Sequence, residues 1–152
     1  MIEDLFKENK VKNAHIHKIK RNSRFKIGER RFVAFGLTHS IPDTFGIAID
    51  TDQGYVVHSS EFIIDFDVRN QGFMCDVANI SELGKKGVFL LTAESVASKR
   101  QGFTSPNHRI TKRIERVFEE TNERILVTLY EQNIYRLIEV IETAQKLSLI
   151  HI

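Results

Sequence analysis

A chain of 152 residues that is 41% hydrophobic can bury one ordinary core, so a single domain is the first expectation. Its 22 Lys and Arg against 20 Asp and Glu leave a net charge of +2, too weak a bias to argue nucleic-acid binding from net charge. One cysteine, Cys75, excludes an internal disulfide and a multi-cysteine zinc site. No apolar run is long enough to span a membrane, and with no signal peptide the expectation is a cytoplasmic protein.

Residues 2–9 read as a short helix end with Ile2, Leu5 and Phe6 on one face, and residues 15–19 as a strand. Positive charge gathers over residues 7–31, where Lys7, Lys18, Lys20, Arg24, Lys26 and Arg31 belong to a run broken only by Glu8 and Glu29, a face suited to a polyanion. Residues 25–27 and 31–35 flank a Gly-Glu-Arg turn and form a hairpin running up to His39. A second hairpin joins residues 45–49 to 55–58 around Thr51-Asp52-Gln53-Gly54, and residues 62–64 add a short strand. Residues 66–86 carry no long periodic run and read as a connection, the kind that marks a change of domain or layer.

The pattern then changes. Residues 87–91 are a buried-type strand; Thr104, Ser105 and Pro106 open a helix over about 107–121, with Ile110, Ile114 and Phe118 at four-residue spacing. Residues 125–129 read as a second buried strand and 133–146 as a second amphipathic helix carrying Ile134, Leu137, Ile138 and Ile141. Strand–helix–strand–helix implies parallel strands and a right-handed crossover. The fold class is therefore α/β (α+β): an antiparallel hairpin layer over residues 1–86, then the start of an α/β unit over 87–146. The last six residues, 147–152, equal one reading-frame translation of a transposase adapter used in sequencing libraries and are expected not to be native.

His39 follows an apolar strand and precedes a Ser-Ile-Pro-Asp turn, a strand-to-loop position where ligands are common. Glu61, at the end of the next hairpin, supplies a carboxylate, and imidazole with carboxylate suits zinc or manganese. Two ligands are too few for a site. His15 and His17 share a strand face, but Lys18-Ile19-Lys20 follows them and supplies no further ligand, so they read as an exposed face. No Gly-x-Ser-x-Gly elbow, phosphate loop, helix-turn-helix or RRM signature is present. From the residues alone, Asn133 is a helix cap and Arg136 a solvated helix residue.

Phe35-Gly36-Leu37-Thr38-His39-Ser40-Ile41-Pro42-Asp43, with the hairpin behind it, resembles the Thr-His-Ser-Ile-Pro-Asp metal motif of the ribonuclease J family, β-CASP enzymes of metallo-β-lactamase fold. Val57-His58-Ser59-Ser60-Glu61-Phe62-Ile63-Ile64-Asp65 is similar to the family's His-Thr-Gly-Asp-Phe-Lys-Phe-Asp segment, and Leu90-Leu91-Thr92-Ala93-Glu94-Ser95 to the strand and acid that open the β-CASP region. Phe103-Thr104 resembles a Phe-Thr-capped helix, and residues 129–136 its Thr-Phe-Ala-Ser-Asn-Ile-His-Arg segment.

The resemblance implies the C-terminal half of an αββα sandwich followed by the start of a β-CASP domain. It implies that His39 and Glu61 are zinc ligands, Asp43 a neighbour shaping the His39 loop, Glu94 a catalytic acid, and Asn133 and Arg136 RNA contacts. Two zinc ions, an RNA phosphodiester substrate and homo- or hetero-oligomers of ribonuclease J subunits are implied for the parent protein, with no membrane association. The His-x-His-x-Asp-His loop is expected upstream of Met1 and the later β-CASP histidines beyond residue 152, so this chain alone is expected to be inactive and to hold no stable zinc. Glu61 replaces the family's bridging Asp, Ser60 its Gly and Tyr135 its His. These departures point to a degenerate paralogue or, as the alternative, a non-catalytic RNA-binding or partner subunit.

Overall fold

The structure, a computed structural model, describes residues 2–104 and 109–149. Strands β1 (Arg24–Ile27), β2 (Arg30–Gly36), β3 (Phe45–Thr51), β4 (Gly54–His58) and β5 (Val88–Thr92) form one sheet in that order. The first four pair antiparallel, as the two hairpins predict. Gly28, at φ +59°, makes the tight β1–β2 connection that an L side chain would strain.

The core follows from alternation along β2. Val33, Phe35 and Leu37 point to one face, beside Ala48 and Val57 on the neighbouring strands, and Leu83 and Ile80 close over them. Those two residues belong to a helix that the sequence reading takes for a connection. Helices α1 (Ile2–Glu8), α2 (Val77–Lys86), α3 (Thr111–Glu120) and α4 (Ile134–Lys146) complete the fold. At the start of α2, Asp76 accepts the backbone N–H of Asn79 at 3.0 Å, satisfying one of the donors a helix leaves open. α2 also supplies the crossover that parallel strands need, because β5 pairs parallel with β4.

The mixed α/β class stands as expected, and several local expectations do not: residues 66–86 hold α2 rather than a plain connection, and β5, expected to be buried, is exposed along its length. Residues 15–19 form no strand; their spacing leaves no apolar face to bury, and Ile16 is exposed. Ile63 makes a single bridge, its N–H donating to the Thr38 carbonyl at 2.9 Å, rather than a strand. Residues 125–129 join no ladder; Ile125 packs against Ile114, Phe118 and Ala144 of α3 and α4 instead. The parallel pair is therefore β4 with β5, not β5 with 125–129. Helix α3 begins at Thr111, not 107; Ser105, Pro106 and residues 107–108, part of its expected start, lie outside the described residues. Within it Ile114 and Phe118 are buried as the spacing requires. Of the terminal six residues, Leu147 packs on the α3–α4 cluster and 150–152 lie outside the described residues.

Candidate functional site

Strand β2 ends at Gly36, and the next two residues, Leu37 and Thr38, are each 1% exposed, so the chain leaves the core at His39. The turn that follows is held at both ends. The Leu37 N–H donates to the Thr44 carbonyl at 2.9 Å, and Asp43 N–H donates to Gly72 at 2.8 Å. Asp43 takes φ +58°, a left-handed value that Asp tolerates better than most residues. It shapes the loop through its backbone, and its side chain is exposed.

Within this turn the Ile41 N–H donates to His39 Nδ1 at 3.4 Å. His39 Nε2 faces Glu61 Oε2 at 3.2 Å. The pairing that the sequence suggests is thus made across the β3–β4 hairpin. Ser60, beside Glu61, holds φ +58° without the glycine that such a conformation favours. Glu94 lies one residue away: its Oε2 accepts the Phe62 N–H at 3.3 Å, tying the segment after β5 to the loop that carries Glu61.

Helix α4 closes the site from the other side. Tyr135 N–H donates to the Ser40 carbonyl at 3.0 Å, and the Tyr135 ring meets Phe73 edge-on at 5.3 Å. Asn133 caps α4, its Oδ1 accepting the Arg136 N–H at 3.0 Å, as its residue type predicts. Asn133, Tyr135 and Arg136 line, with Thr38, His39 and Ile63, a cavity of about 200 Å³. His39 and Asn133 also border a wider hollow of about 410 Å³ that extends to Glu61 and Tyr130. The two adjoin, with His39, Ser40 and Asn133 lining both, and together they make up the candidate groove. The Thr38 hydroxyl on its wall is buried with no partner among the described residues. Burial pushes the Tyr135 phenol above its ordinary value, with nearby Arg109 pulling it down, so Tyr135 is neutral at physiological pH.

A zinc centre needs more donors than the described residues bring together. His39 and Glu61 are two donors, and no group of three or more His, Cys, Asp or Glu side chains suited to a metal occurs among the described residues. His15 and His17 are exposed. The basic run is partly spent on structure: Arg21 donates to the Leu37 and Met74 carbonyls, Arg24 pairs with Glu82 at 3.2 Å, and Arg30 lies 3.8 Å from Asp52.

Two charged residues that the sequence reading does not single out matter here. Asp65, 3% exposed, accepts two hydrogen bonds from Arg109 Nη2, at 2.6 and 2.5 Å, and another from the Asp67 N–H at 2.9 Å. This contact raises the Arg109 guanidinium further above neutrality. Glu139, 8% exposed, accepts from Ile110 N–H at 3.1 Å, from the Thr111 hydroxyl and from Arg136 Nη1. Glu139 shares a helical face with Thr143, four residues on, and both are buried.

The fold is that of a mixed α/β protein with a solved structural counterpart. A protein of unknown function from Enterococcus faecalis matches 84% of this chain and 31% of its own, with a TM-score of 0.63 at 18% identity, which shows the fold alone. In sequence the chain is 27% identical over 146 residues to ribonuclease J 2 of Staphylococcus aureus, and 29% identical over 150 residues to an uncharacterized protein of Mycoplasma pneumoniae. These alignments cover 96% and 95% of this chain, which spans about a quarter of each relative, 26% and 27%. No family model matches. The chain is thus distantly related to ribonuclease J 2. No described helix is long and apolar enough to cross a membrane.

Proposed function

We propose that the chain is part of a ribonuclease J-like, zinc-dependent RNA phosphodiester hydrolase acting in RNA maturation and decay, and that its groove receives the RNA strand. The observation that carries this reading is the convergence of three distant segments on one groove: the His39 turn, the Glu61 loop and the start of α4 with Asn133 and Arg136. In this reading His39 and Glu61 are two donors of a two-ion centre whose other ligands come from the three quarters of the relatives' length that this chain does not span. Glu94 positions the Glu61 loop through Phe62, Asp43 shapes the His39 turn, and Arg136 meets RNA phosphate. RNA is the partner, ribonuclease J-like subunits are the companions in an oligomer, and the compartment is the cytoplasm.

The chain alone takes up no stoichiometric zinc and cleaves no RNA. Titration calorimetry with zinc checks the first point, and one tightly bound ion per chain refutes the two-donor account. Fluorescence anisotropy with a short 5′-phosphorylated single-stranded RNA checks the binding half of the proposal. Salt-sensitive binding is expected, and its absence sinks the RNA reading.

One observation favours the second reading, a non-catalytic RNA-binding or partner subunit. The longer arm of Glu61, where the resembled motif has Asp, and a neutral Tyr135, where it has His, both depart from a metal-centred site. Under that reading His39→Ala leaves RNA affinity unchanged and RNA turnover by the whole assembly intact; under the first it abolishes turnover.

A further inference from the structure

Helix α3 has no cap of its own. Ile110 stands at its N-cap and makes no side-chain hydrogen bond there, although the N–H groups of a first turn need acceptors. The acceptor comes from a different helix. Glu139 of α4 takes the Ile110 N–H and the Thr111 hydroxyl on Oε1, while Oε2 takes Arg136 Nη1. Both oxygens are engaged, and the carboxylate is 8% exposed.

An exposed pair at this three-residue helical spacing is worth little and holds neither partner still. Here both side chains are largely buried, at 17% for Arg136 and 9% for Glu139. Burying a charged pair is weak evidence for stability, since apolar residues of like volume often serve as well. What the pair does supply is a fixed direction for a planar guanidinium, the property that distinguishes Arg from Lys where a phosphate is to be met. Arg136 lies on the wall of the groove beside His39.

We propose that Glu139 is a positioning residue for the groove: its carboxylate sets the Arg136 guanidinium on the cavity wall and ties that setting to the first turn of α3. The ligand is a phosphate of a single-stranded RNA backbone, so the proposal rests on the RNA reading above. The tie continues outward, because Arg109, immediately before Ile110, grips Asp65 on the sheet side. The direction of Arg136 is thereby referred to the sheet that carries His39.

The test uses the whole chain and a short 5′-phosphorylated single-stranded RNA, with affinity measured across a salt series. Glu139→Gln keeps the shape and removes a negative charge near the groove, a change that by field alone tightens binding to a polyanion. Positioning demands the opposite sign. E139Q is expected to weaken binding about tenfold, the worth of one charge-assisted hydrogen bond, and to lower the slope of log affinity on log salt by about 0.7, one phosphate contact on a single strand. R136Q is expected to do the same, and the double variant to match R136Q alone, since the two act as a unit. Thr111→Val removes the hydroxyl and leaves the Glu139–Arg136 contact; it is expected to lower the melting temperature without changing RNA affinity.

Unchanged or tighter binding by E139Q, with R136Q weakened, overturns the positioning role and leaves the RNA reading standing. Equal loss in T111V and E139Q also overturns it, because the effect then runs through α3. If R136Q has no effect, this proposal is overturned, and the RNA reading falls only if the wild-type chain itself fails to bind the RNA. Should E139Q fail to fold, Arg136→Lys retains the charge and abandons the planar fork: weakened binding supports the proposal, and wild-type affinity overturns it.

Discussion

The Asp65–Arg109 pair is lopsided in burial, and the lopsidedness makes a quantitative prediction. Asp65 has a side chain 2% exposed and Arg109 one 30% exposed. Removing one partner of a fully buried pair costs about 3–5 kcal/mol, mostly because the other charge is stranded away from water. Arg109 has partial access to solvent, so the carboxylate loss in Asp65→Asn is discounted to about 1–2 kcal/mol; the amide still accepts the Asp67 N–H. Arg109→Gln is the harsher change, because the Asp65 carboxylate cannot swing to water; about 3 kcal/mol is expected. The double variant D65N/R109Q, which strands no charge, falls between the wild type and R109Q. Urea unfolding followed by far-ultraviolet circular dichroism reads all four proteins, and at a slope of about 2 kcal/mol per molar urea the R109Q midpoint drops by about 1.5 M. A D65N loss equal to or larger than that of R109Q refutes the burial argument, as does a double variant less stable than R109Q.

Ser60→Gly places glycine where φ is +58° and is expected to stabilise the chain by about 1 kcal/mol in the same assay, with loss of stability counting against a strained loop. Burial pushes the Cys75 thiol above its ordinary value, with Asp76 adding to that and a backbone hydrogen bond from Thr38 and the charge of Arg21 opposing it. The folded state therefore favours the neutral thiol. Its contribution is intact below the ordinary thiol value of about 8.5 and is lost as pH rises through the higher folded value. Relative to Cys75→Ala, the wild type should lose stability between about pH 8 and 10, and alkylation by iodoacetamide should be slower than for free cysteine. Parallel pH curves for the two proteins, or alkylation at the free-cysteine rate, count against the burial assignment.

Elements whose cause is local were legible. The two hairpins follow from period-two alternation around turn residues, and α4 from its apolar spacing behind the Asn133 cap. Helix α2 was hidden because it has only 10 residues, with Gly84 inside it, although Asp76 and Asn79 carried its start signal. Residues 125–129 have the composition of a strand, but pairing is decided by which edge lies nearby, a non-local fact. In the site, His39 and Glu61 were found because each follows the end of a strand, β2 and β4 on either side of β3, and they do meet at 3.2 Å. Asp65 and Glu139 were missed because composition assigns acids to the surface, and only their partners, 44 and up to 29 residues away, make burial tolerable.

The bond from Tyr135 N–H to the Ser40 carbonyl joins the two halves of the groove through main chain alone. No side chain is consumed in making it. Residues 132–136 can thus exchange chemistry, as Gln132 and Tyr135 do relative to the resembled motif, while their placement over the His39 turn stays the same. The groove behaves as a socket with replaceable contacts: substitution there alters what is bound or done without first unmaking the fold.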